Sequence, residues 1–142
     1  MSIKDLDKLR QRDLIPYVLK QLVLELFNEF LRARGSCVYV NPRVLTRRIC
    51  EKLKVSDKKV APIVASVFKL LTDVGVVEEY RMGSKENTET PKRVVYRVDR
   101  ASELWQLIME IGKANEKKRN ETTEKIVKTL EEKYLMKLKE EF

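Results

Sequence analysis

A mainly α-helical fold carrying a small β-hairpin is what this sequence predicts, and three observations carry that reading. Glycine and proline are scarce, four of each in 142 residues, so few breaks interrupt a helical pattern. Apolar residues recur at three- and four-residue spacing through most of the chain. The period shortens to two only around Val76–Met82 and Lys92–Val98, on either side of a polar stretch rich in turn residues.

Residues 1–12 are polar, with a few leucines and weak helical character. Asp13 is the expected cap of the first long helix, with Pro16 tolerated in its first turn and Gly35 as its stop after Arg34. Leu19, Leu22, Val23, Leu26 and Phe30 form one apolar stripe. Tyr17, Leu24, Phe27 and Leu31 widen it to roughly 220°, more than one packing contact requires. Such a helix is expected to pack on its own domain and also on the C-terminal helix or a second subunit.

Cys37–Val40 is a short β-rich run, and Asn41-Pro42 supplies a cap and a first-position proline for the next helix. Residues Arg43–Leu53 then bury Leu45, Ile49 and Leu53, with Cys50 beside them. Val55 plugs the following turn and Ser56 is the expected cap of a helix over about 57–73. Val60, Val64, Val67 and Leu71 line its inner side, which leaves Lys58, Lys59, Pro62, Ser66 and Lys69 outside. Pro62 lies beyond the first turn and removes a backbone hydrogen bond there, so the helix either opens loosely over Ser56–Ala61 or bends at Pro62. Gly75 is expected to end it in a left-handed conformation.

The strands Val76–Met82 and Lys92–Val98 flank a polar loop. On the return strand Val94, Tyr96 and Val98 share one face, and Arg93, Val95 and Arg97 the other. Residues 101–111 form a further helix with Leu104, Leu107, Ile108 and Ile111 at core spacing and Trp105 beside them. Gly112 to Lys125 holds no large apolar residue, and Ile126, Val127, Leu130, Tyr134, Leu138 and Phe142 then restore a stripe. The middle is either a solvated part of one long helix or a break near Gly112–Asn120.

Net charge is +8, and its distribution is uneven. Residues 42–69 carry eight basic side chains against two acidic ones, and residues 81–97 five against two. Between them, residues 70–80 hold only Asp73, Glu78 and Glu79. Residues 98–142 carry ten of each sign. A thermophile's Lys/Glu-rich surface accounts for the last stretch but poorly for residues 42–69. A basic excess focused on one part of a chain is the footprint of a polyanion binder.

Several classes are disfavoured. The sequence has no histidine, which removes Ser-His-Asp and Cys-His catalysis, and it has no Walker-type phosphate loop. The pairs Glu78-Glu79, Glu131-Glu132 and Glu140-Glu141 are sequence neighbours whose side chains point apart or into solvent. An enzyme is not expected. Cys37 and Cys50 lack a paired metal-ligand spacing, so neither a metal nor another cofactor is expected, and they read as small buried residues. No apolar run reaches transmembrane length and no signal peptide is legible, which gives a cytoplasmic expectation. No small-molecule pocket is evident.

The segments Leu53–Val60, Leu70–Val77 and the hairpin ending Tyr96-Arg97-Val98 resemble the winged helix-turn-helix superfamily, found in many small archaeal and bacterial transcription regulators. The resemblance implies a winged helix-turn-helix domain over 13–111, followed by a C-terminal helical extension over 112–142 that would serve dimerisation. Its partner would be double-stranded DNA, with the helix 57–73 in the major groove and the wing 83–92 on the backbone or minor groove. Ser56, Lys58, Lys59, Pro62, Ser66 and Lys69 would form the exposed face of that helix. Its N-terminus would offer free N–H groups to phosphates. Arg43 and Arg47 would contact backbone from the preceding helix, unless they and Arg48 pair with Glu51 or Asp57. Lys85, Lys92 and Arg93 would act from the wing, with Arg97 a weaker candidate. A homodimer would set two such helices roughly 34–36 Å apart on a pseudo-palindromic site. A non-specific architectural protein and a protein-interaction module are the alternative readings of the same fold.

Overall fold

The computed structural model of the chain describes residues 3–82 and 93–142. These form five α-helices and one three-stranded antiparallel sheet, with a 3-10 helix near each end. The N-terminal stretch is more ordered than its polarity suggests. Ile3–Lys8 is a 3-10 helix that drives Leu6 into the core.

Helix α1 spans Gln11–Arg32. It starts ahead of the expected cap: Arg10 takes that place, its carbonyl accepting from the N–H groups of Asp13 and Leu14. Asp13 is therefore inside the first turn, where its carboxylate meets the Arg10 guanidinium at 3.3 Å. Pro16 falls in the second turn, on the exposed side of the helix, and not in the first. The wide apolar arc is real and is covered within the chain. Leu19, Leu22, Val23, Leu26, Phe27 and Phe30 are all buried, while Tyr17 and Leu31 stay exposed. One flank of α1 receives α2 (Pro42–Leu53) and α3 (Asp57–Asp73), and it also packs on α4 (Glu103–Lys113) and α5 (Arg119–Lys133).

The chain breaks between α4 and α5, which the absence of large apolar residues there permits. Gly112 marks a close approach: a Cβ there would stand 3.4 Å from the Phe27 ring. Ile126, Val127, Leu130, Leu135 and Leu138 enter the same core as α1–α3, so residues 112–142 cover their own domain. Phe30 stacks on Trp105 with ring centroids 4.3 Å apart, which makes Trp105 a core residue. The Tyr134 hydroxyl donates to Glu103 at 2.5 Å and ties the end of α5 to the start of α4. Burial and that carboxylate push the Tyr134 hydroxyl up to about 12.

The sheet holds β1 (Cys37–Val40), β2 (Glu78–Met82) and β3 (Arg93–Asp99) in the order β1-β3-β2. The hairpin thus gains a third strand: Val38 pairs with Val98 and Val40 with Tyr96. The inner face packs on α3, with Tyr96 stacked on Phe68 at 4.5 Å. The outer face is less polar than alternation alone suggests. Val95 is buried on the same side as Arg97, and the exposed Tyr39 and Tyr80 meet edge to face at 5.6 Å. Cys37 and Cys50 are free and half-buried, short of the full burial expected.

Candidate functional site

Helices α2 and α3 are joined by a tight turn with local causes. Asn41 caps α2 by accepting from the Arg43 N–H at 2.9 Å, and Pro42 takes the first helical position. At the other end Lys54 adopts a left-handed conformation with φ of 58°. That lets the N–H groups of Lys54 and Val55 both reach the Cys50 carbonyl. Val55 is buried in the bend, and Ser56 leads into α3. Helix α3 is continuous from Asp57 through Pro62 to Asp73. Pro62 is exposed, so the N–H it lacks is lost on the solvent side and the core packing of Val60, Ile63, Val64 and Val67 holds the helix together. Gly75, with φ of 81°, closes α3: its N–H bonds to Thr72 and the Val76 N–H to Leu71.

The start of α3 differs from expectation. The Ser56 hydroxyl makes no capping bond, and Asp7 of the N-terminal 3-10 helix instead accepts the Ser56 N–H at 2.9 Å. The Lys59 ammonium donates to the carbonyls of Asp7 and Leu9, and Gln11 donates to the Lys59 carbonyl at 3.3 Å. The Ser56 N–H, aided by Lys59, holds the Asp7 carboxyl below its usual range. Lys59 is therefore a fastening of the N-terminal segment and not an outward-facing cation. A carboxylate thus stands at the N-terminus of α3, on the Ser56 N–H. Buried Leu6 explains why: it fixes the position of Asp7 next to it, a contact far apart in sequence.

The remaining expected residues divide by face. Lys58, Pro62 and Lys69 are exposed on α3 with Ala65 between them, and Ser66 is half-buried at the margin. Arg43 and Arg47 are exposed on α2 and make no ion pair among the described residues. The alternative pairing of Arg43, Arg47 and Arg48 with Glu51 or Asp57 does not occur among the described residues. Arg48 meets Glu29 at 2.6 Å and Glu25 at 3.8 Å across the α1–α2 contact. Lys52 joins there, 2.7 Å from the same Glu25, which is buried. Glu25 was not singled out from sequence: at about 100° per residue it falls outside the apolar arc of α1, beside Val18, which is also buried. Arg97 is spent on Asp99 at 3.0 Å and Glu78 at 3.7 Å on the outer face of the sheet, where nearby Cys37 also helps to hold its charge. Lys85, Lys92 and the rest of the expected wing 83–92 lie outside the described residues.

Arg43, Arg47 and Arg93 converge. They share a depression with Asn41, Val44 and Val94 where α2 starts beside the first residues of β3. It adjoins a groove of about 700 Å³ between α2, α3 and the sheet, lined by Ala61, Val64, Ala65, Val94 and Tyr96. Glu51 and Asp57 stand where α2 ends and α3 begins, and Glu79 stands on β2. The groove is thus basic along the first turns of α2, where Arg43 and Arg47 line it, and acidic at the turn and on β2. Comparison with protein-family models, curated proteins and solved structures finds no match for this chain. Among the described residues no helix is long and apolar enough to cross a membrane, and no cluster of His, Cys, Asp and Glu could hold a metal.

Proposed function

We propose that this chain is a double-stranded DNA-binding regulator of winged helix-turn-helix architecture, with α3 in the major groove and the hairpin tip on the backbone or minor groove. The succession α1, β1, α2, α3, β2, β3 and the strand order β1-β3-β2 support that architecture. The observation that carries the reading is the convergence of Arg43, Arg47 and Arg93 beside the exposed α3 stripe of Lys58 and Lys69. Arg43 and Lys58 both sit in the first turn of their helices, where a cation opposes the helix dipole. Local stability gains nothing from them there, whereas a phosphate ligand would. Affinity then comes mainly from phosphate contacts, and occupancy of a promoter is the regulatory act.

The test is affinity for a short duplex across a salt series. Five phosphate contacts give a slope of about −4.5 in log affinity against log salt. Negligible binding at low salt, or a flat response, sinks the proposal. A homodimer is not carried forward as part of it, because the arc of α1 and the apolar stripe of 126–142 that motivated it are largely covered within one chain.

A protein-interaction module keeps one observation in its favour: the exposed Tyr39 and Tyr80 over Val95 on the outer sheet face. Under that reading the chain forms a stable heteromer without DNA affinity, and Tyr39→Ala with Tyr80→Ala abolishes it.

A further inference from the structure

The exposed face of α3 is chemically unusual for a base reader. Lys58 and Lys69 bracket it, about 16 Å apart along the axis at 1.5 Å per residue. Between them the outward side chains are Ala61, Pro62, Ala65 and Ser66. None is Arg, Asn or Gln, the residues that make bidentate bonds to guanine or adenine edges. At the start of the helix the Asp7 carboxylate already takes the Ser56 N–H. The short side chains also let this face approach a partner closely, and the adjoining groove continues the same small apolar lining with Val64 and Val94.

Resting on the DNA-binding reading, we infer that α3 selects sites by packing Ala61, Pro62 and Ala65 against thymine methyl groups in the major groove, with Arg43, Arg47, Lys58 and Lys69 holding the flanking phosphates. The thymine C5-methyl is the one apolar group that base pairs present there. Set against Ala65 it leaves water without forfeiting a hydrogen bond. A guanine O6 or a cytosine amino group in the same place loses its water and gains no partner. Ser66, at the margin, offers a hydroxyl to an adjacent adenine. The preferred ligand is therefore duplex DNA with consecutive A·T pairs, recognised by shape and methyl contact.

The experiment compares the full chain on a short alternating A·T duplex and on the same duplex with uracil in place of thymine, which deletes only the methyl groups. The expected result is weaker binding to the uracil duplex, by about fourfold for each methyl covered. In Ala65→Ser, an exposed substitution that puts a hydroxyl where the methyl contact falls, the thymine-to-uracil ratio drops toward one while affinity for the uracil duplex stays within about twofold. Equal affinity of the native chain for the two duplexes, with the steep salt response retained, overturns this inference and leaves DNA binding standing. Failure to bind any duplex at low salt overturns both.

Discussion

Arg47 and Arg48 are neighbours in sequence and opposite in circumstance, and Lys58 and Lys59 repeat the contrast one helix later. Arg48 turns toward α1 and meets Glu29 and Glu25, while Arg47 faces the groove with no carboxylate partner among the described residues. Lys59 turns toward the N-terminal segment and is held by two carbonyls, while Lys58 faces out. The back of the α2–α3 unit spends its cations on folding, and the front keeps them. A step of about 100° around a helix decides which. The basic excess of residues 42–69 is consequently smaller as an available surface than as a sum of charges.

The largest effect expected from testing that contrast is at the back. Glu25→Ala removes the buried carboxylate shared by Lys52, Arg48 and Gln21 and is expected to cost about 2–3 kcal/mol in urea unfolding. A fully buried pair would lose more; here Arg48 and Lys52 reach water. DNA affinity of the folded variant should be unchanged. A loss of affinity larger than the unfolded fraction accounts for would erase the distinction between the faces.

At the front, Arg43→Ala with Arg47→Ala should lower the salt slope by about two and leave the unfolding midpoint level or slightly raised, since Arg43 sits at the positive end of α2. Filter binding across salt and urea unfolding of the same samples check both halves. A variant that unfolds easily and retains its slope would place these arginines in the scaffold.

Lys58→Ala and Lys59→Ala make a closer pair. The first should lower the slope by about one without changing stability. The second should cost on the order of 1 kcal/mol of stability through its lost bonds and leave the slope alone. Identical behaviour of the two variants would mean the face assignment within α3 is wrong.

The smallest effect concerns Asp7. Its folded-state carboxyl is lowered below 3.8 by the Ser56 N–H and Lys59, so its contribution is present above the unfolded value and is lost as pH falls through the folded one. The stability difference between the native chain and Asp7→Ala should be constant near neutrality and shrink below about pH 4. A difference that persists undiminished at low pH would show that Asp7 acts without its charge.

Much of this was legible because it is local. Asn41-Pro42 starts α2, Gly75 stops α3 in a left-handed conformation, and the inner stripe of Val60, Val64, Val67 and Leu71 is buried as helical spacing requires. The long-range facts were not. Nothing around Lys59 announces that Asp7 lies beside it, and the pairing of β1 with β3 joins segments separated by two helices and a strand. Pro62 misleads for the same reason. Its local cost is real, yet side chains packed from α1 and α2 keep α3 continuous.

By itself, then, the amino-acid sequence determined the helical elements, their caps and stops, and a basic middle, because periodicity, capping chemistry and charge reside in neighbouring residues. The tertiary structure alone decided that the wide arc of α1 is covered by α4 and α5, that Asp7 occupies the start of α3, and that Arg43, Arg47 and Arg93 converge while Arg48, Lys59 and Arg97 are engaged. Each of these depends on which distant residue arrives within bonding distance, and packing of the whole core sets that.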